Sequence, residues 1–105
     1  MIFVETPAFT RRITALLTDD EYSRLQQDLG ARPDAGAVIK GSGGIRKLRW
    51  GMAGKGKSGG ARIIYYWQAS QDTMLMLSAY AKSDKQNLTD EEVKALRCVV
   101  EEGSR

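Results

Sequence analysis

A chain of 105 residues, 42% apolar and 28% charged, is long enough for one hydrophobic core and too apolar for a disordered tail. Residues 1–105 are therefore expected to form a single soluble domain. No apolar run approaches the roughly 18 residues needed to span a bilayer. The start, Met1-Ile2-Phe3-Val4-Glu5, lacks a basic region followed by a long apolar one, so it does not read as a secretion signal. The only cysteine, Cys98, excludes an internal disulfide and a cysteine metal cluster; it reads as a small buried hydrophobe. The cytoplasm is the expected compartment.

Ile2-Phe3-Val4 is a short β-prone run that Pro7 brings to a stop, as in an edge strand. Phe9, Ile13, Leu16 and Leu17 then recur at helical spacing. Thr18-Asp19-Asp20-Glu21 has the form of a capping box, and the helix it opens puts Tyr22, Leu25 and Leu29 on one face before Gly30. Together these stretches predict a helical hairpin. Ile45 to Trp50 alternates, with Ile45, Lys47 and Arg49 on one face and Arg46, Leu48 and Trp50 on the other. Arg62-Ile63-Ile64-Tyr65-Tyr66-Trp67 is a strongly β-prone strand. A turn around Ser70-Gln71-Asp72 leads to Met74–Tyr80, a nearly continuous apolar run that fits a central strand. Thr89-Asp90-Glu91-Glu92 repeats the capping box and starts a last helix with Val93, Leu96, Val99 and Val100 facing inward. The order β-α-α-β-β-β-α predicts an α+β fold: an N-terminal strand and helical hairpin on a small antiparallel sheet, then a C-terminal helix.

The net charge of +3 conceals a sharper asymmetry. Between Ala35 and Gln71 stand seven basic residues (Lys40, Arg46, Lys47, Arg49, Lys55, Lys57, Arg62) and no Asp or Glu. A purely cationic middle segment points to an anionic partner, and nucleic acid is the commonest. Within it, Gly51–Ser58 fits the phosphate-loop pattern G-x-x-x-x-G-K-[ST]. That chemistry needs a helix after the loop, whose amides hold the phosphates. Here a β-prone strand follows, so nucleotide hydrolysis is set aside.

The chain has no histidine, which removes the commonest acid–base residue of a ribonuclease and most metal sites. No metal or other cofactor is expected. What remains is catalysis by Arg and Lys on RNA, which carries its own nucleophile in the 2′-hydroxyl. A guanidinium suits this task because its planar fork grips two phosphoryl oxygens. Arg62 opens its strand beside the glycine loop, and pairing with the preceding strand would bring Lys47 and Arg49 to the same phosphate. Crowded positive charge disfavours an ammonium, which makes Lys47 and Lys82 the candidate proton carriers. Of Trp50, Tyr65, Tyr66, Trp67 and Tyr80, three are expected in the core and one or two at the groove; Tyr66 shares the face of Arg62 by alternation and is the better candidate to stack on a base.

Three blocks are familiar: Gly41-Ser42-Gly43-Gly44-Ile45-Arg46-Lys47-Leu48-Arg49, Gly54-Lys55-Gly56-Lys57-Ser58-Gly59-Gly60-Ala61-Arg62-Ile63-Ile64-Tyr65-Tyr66, and Tyr80-Ala81-Lys82-Ser83-Asp84-Lys85-Gln86-Asn87-Leu88-Thr89. In this order they resemble the HigB-like branch of the RelE/ParE toxin superfamily, and the likeness extends over nearly the whole chain. The resemblance implies a toxin of a type II toxin–antitoxin system that cuts mRNA on the translating ribosome, without metal, by 2′-hydroxyl attack. It implies a cognate antitoxin, often a helix-turn-helix (HigA-like) repressor. Arg62 matches the family's central catalytic arginine, Lys47 and Arg49 the basic strand positions, and Lys82 the basic position after the last strand. Lys40, Arg46, Lys55, Lys57, Tyr66 and Lys85 are the residues expected on the RNA. The chain departs from many relatives at Ser83, where an arginine or histidine is common, and its last helix has no tyrosine. Two other readings fit the charge alone: a non-catalytic nucleic-acid-binding module, and a toxin fold acting on another target.

Overall fold

The computed structural model describes residues 1–51, 60–85 and 87–103. Strand β1 (Ile2–Glu5) leads into helices α1 (Pro7–Leu16) and α2 (Asp19–Ala31). Strands β2 (Ala37–Val38), β3 (Arg46–Trp50), β4 (Ala61–Gln68) and β5 (Thr73–Ala81) follow, with a 3-10 turn at Ala69–Gln71, and helix α3 (Asp90–Gly103) ends the chain. The α+β architecture is the one expected from the sequence. Strand β2, two residues long and exposed, was not expected.

The five strands lie in the order β1-β5-β4-β3-β2. From β2 to β5 every neighbour is antiparallel, as short connections require. Strand β1 corrects the expectation of a wholly antiparallel sheet: it runs parallel to β5, with Ile2 opposite Thr73 and Glu5 opposite Met76. Parallel neighbours need a long crossover, and residues 6–72 supply one.

Helices pack on both sheet faces. On one, Phe9, Ile13, Leu25 and Leu29 of the helical hairpin pack on Ile63, Tyr65, Met74 and Met76. On the other, Val100 of α3 joins Ile45, Ile64, Leu77 and Tyr80, with Leu88 and Leu96 alongside. Helix α3 presents less of itself than its apolar pattern suggests. Val99 is 43% exposed and Cys98 is exposed, where both were expected inside. Their neighbours Leu96 and Val100 already fill the stripe that faces the sheet.

Local chemistry fixes the ends. Both expected capping boxes form: Glu21 N donates to Thr18 Oγ1 (3.1 Å) and Thr18 N to Glu21 Oε1 (2.9 Å). The same exchange joins Thr89 and Glu92 at 2.9 and 3.1 Å. Glu5 ties β1 to the hairpin by accepting from Thr10 Oγ1 and Tyr22 OH, each at 2.6 Å. Burial and that carboxylate push the Tyr22 phenol far up. Buried Tyr65 donates to Pro33 O (2.8 Å) and accepts from Gly36 N (2.9 Å), anchoring the segment before β2. A Cβ at Gly36 would stand 2.9 Å from the Tyr65 hydroxyl and 3.0 Å from Lys47 O, so only glycine fits there.

Candidate active site

Strand alternation decides what the cationic residues face. Leu48 and Trp50 of β3 pack on the hairpin core, which turns Lys47 and Arg49 to the other face. Arg49 is the cross-strand partner of Arg62 on β4, and Arg62 is in turn opposite Tyr80 on β5. Lys82 continues the β4–β5 ladder by one bond, its N–H donating to Gly60 O at 2.9 Å. The ammonium of Lys47 donates to Asn87 Oδ1 at 2.9 Å, drawing in the loop before α3. Lys47, Arg49, Arg62, Lys82 and Asn87 line one cleft of about 290 Å³. All four expected catalytic residues are therefore brought together.

Arg62 is only 6% exposed, and its guanidinium donates to the adjacent Ala61 O at 3.3 Å. Among the described residues no carboxylate forms an ion pair with Lys47, Arg49, Arg62 or Lys82. A buried guanidinium lacking a counter-charge is costly, and an incoming anion offsets that cost. Burial raises the Tyr80 phenol above its ordinary range; the positive charge of Arg62 opposes the rise and Glu92 adds to it. Among the described residues no group of three or more His, Cys, Asp or Glu is placed to hold a metal ion. Beside the cleft, Arg49, Trp50, Gly51, Gly60, Arg62 and Lys82 line a second hollow of about 450 Å³. The arrangement can hold a phosphate by charge-assisted hydrogen bonds, with room next to it for more of a nucleotide chain.

The residues expected on the RNA are dispersed. Tyr66 shares the face of Arg62 but stands four residues along β4. It lines a different hollow with Ser42, Gly43, Arg97, Val100 and Glu101. Trp50 lines the hollow beside the cations, and Tyr80 stands opposite Arg62. Arg46 braces the chain before β2, donating to Gly36 O (2.7 Å) and Asp34 O (3.2 Å). Lys40 is exposed after β2. Lys85 is ion-paired with Glu92. Lys55 and Lys57, with most of the phosphate-loop-like stretch, lie outside the described residues. Asn87 was not singled out from the sequence, where it is one polar loop residue forty positions from Lys47.

The fold and the cleft define a small α+β protein with a cationic cleft at one edge of its sheet. A family model for the RelE toxin of the RelE/RelB toxin–antitoxin system matches residues 33–103, a span that contains every cleft residue. The chain belongs to the RelE toxin family. It is thus a toxin-type member of a toxin–antitoxin system, with an antitoxin as its partner, in a family whose toxins are typically endoribonucleases. Among the described residues no helix is long and apolar enough to cross a membrane.

Proposed function

We propose that this chain is a HigB-like, ribosome-dependent mRNA endoribonuclease of the cytoplasm, neutralised by a helix-turn-helix (HigA-like) antitoxin. The observation that carries the reading is Arg62, nearly buried, in one cleft with Lys47, Arg49 and Lys82. In this mechanism the scissile phosphate lies against the Arg62 guanidinium, with Arg49 opposite it on β3 sharing the charge. The RNA 2′-hydroxyl attacks the phosphorus, and negative charge gathers on the phosphoryl oxygens as the 5′-oxygen departs. Arg62 meets that charge with a planar pair of donors. Lys47 and Lys82 flank the phosphate and carry the protons, taking one from the 2′-hydroxyl and giving one to the leaving oxygen. No metal enters the cycle.

Two measurements test the reading. Inducing the chain with and without its neighbouring gene, then mapping mRNA 5′ ends, should show new ends and growth arrest only when the partner is absent. Arg62→Ala should abolish both while affinity for ribosomes persists. Retention of the new ends in Arg62→Ala would remove the cleft from the reaction. For the proton carriers, cleavage by Lys47→Arg is followed against pH. A displaced profile is expected, and an unaltered one takes Lys47 out of proton transfer.

A further inference from the structure

The Lys85 side chain is attached to α3 and to the end of β5 and does not line the cleft. After β5 the chain turns on bonds from Asp84 N and Lys85 N to Ala81 O (3.0 and 3.4 Å). The Lys85 ammonium pairs with Glu92 Oε2 and stands 5.4 Å from the centre of the Tyr80 ring. Glu92 is fully employed: Oε1 caps the first turn of α3 through Thr89 N, and Oε2 takes Lys85. On either side of Lys85 the same loop carries Lys82 and Asn87, which among the described residues are the two of the cleft that no strand supplies. The ring under Lys85 belongs to Tyr80, the cross-strand partner of Arg62.

We propose that Lys85 and Glu92 are positioning residues for the cleavage reaction. The pair ties the 82–89 loop to α3, so that Lys82 and Asn87 face Arg62 across the cleft and Tyr80 is held beside it. This assignment rests on the nuclease reading given above. Helix α3 thereby sets the geometry of a site to which it contributes no side chain. A partly exposed ion pair adds little to stability. Small displacements of a catalytic group, by contrast, cost much in rate.

The two roles open to Lys85 give opposite signs. The test uses the full chain carrying Lys85→Met or Glu92→Gln, with kcat and KM for mRNA cleavage and the affinity for inorganic pyrophosphate as readouts. Each substitution is expected to lower kcat about ten- to a hundredfold with KM nearly unchanged. Lys85→Arg, which keeps the pair, should retain wild-type kcat. Thr89→Ala should lower the melting temperature without that loss, separating the latch from the helix cap. Arg97→Gln, which breaks the Arg97–Glu101 pair elsewhere on α3, should match wild type. If Lys85 instead touches RNA, Lys85→Met raises KM and Glu92→Gln lowers it by releasing the ammonium; that pattern overturns the proposal. Wild-type kcat in both variants overturns it equally. Should the wild-type chain cut no RNA, the nuclease reading falls and pyrophosphate binding decides the latch. Severalfold weaker binding in both variants supports it, and wild-type affinity overturns it.

Discussion

The two faces of the sheet are made by the same strands and do different work. Towards the hairpin, β4 and β5 present Ile63, Tyr65, Met74 and Met76 to a dry core shared with both helices. Towards α3 the surface is divided. Ile64, Leu77 and Val100 close a smaller core, and Lys47, the cross-strand partner of Ile64, joins Arg62, Arg49 and Lys82 around the open space at its edge. Helix α3 covers only the first part. The cleft is thus the uncovered remainder of a packed face, with charges where the core would otherwise continue.

Adjacent residues of β4 give the sharpest way to break this comparison. Arg62→Ala is expected to reduce cleavage by roughly 10²–10³, the usual loss for one charge-stabilising donor, with little change in melting. Ile63→Ala, one residue on and facing the other way, should cost about 2–5 kcal/mol in denaturant unfolding. Cleavage per folded molecule should survive it. If the two readouts move together in either variant, the division of labour between the faces is wrong.

Smaller effects sharpen the same contrast. Tyr65→Phe strands Gly36 N and Pro33 O, and is expected to cost about 1–3 kcal/mol in unfolding while leaving the cleft intact. Lys82→Met should reduce the slope of log affinity for RNA against log salt by about one, since one phosphate contact is lost. The smallest effect is one of pH. The ammonium of Lys85 and the Thr89 amide hold the Glu92 carboxyl below the usual carboxylate range. A depressed carboxylate contributes stability that is present above its unfolded value and lost as pH falls through the folded one. Melting temperatures of wild type and Glu92→Gln should therefore converge as the pH is lowered below the usual carboxylate range.

Much of this was legible in the sequence wherever the signal is local. Two capping boxes could be read from four residues each, and both form. Period-two alternation assigned Lys47 and Arg49 to one face and Leu48 and Trp50 to the other, which is how β3 sits. What alternation cannot give is distance along a strand: Tyr66 shares the face of Arg62 yet lies at the far end, by α3. Nor does it count neighbours on a helix, so Val99 fitted the apolar pattern but lies outside the stripe that Leu96 and Val100 occupy. The remaining gaps are non-local. The parallel placement of β1 depends on a crossover of more than sixty residues. The Lys47–Asn87 bond and the Lys85–Glu92 pair exist only once β5 delivers the following loop to the mouth of the cleft. Lys85 looked like one more cation for RNA because its partner lies seven residues on, across a turn.

In the proposed mechanism the cationic cleft drives attack by the RNA's own hydroxyl. The most direct test of that mechanism is the cleavage of an mRNA on the ribosome, compared with the same message carrying a single 2′-deoxy nucleotide at the mapped cut. The natural message should be cut to leave a 2′,3′-cyclic phosphate and a 5′-hydroxyl, and the substituted one should stay intact at that position while still bound. Cutting at the deoxy position, or products ending in a 5′-phosphate, would contradict it.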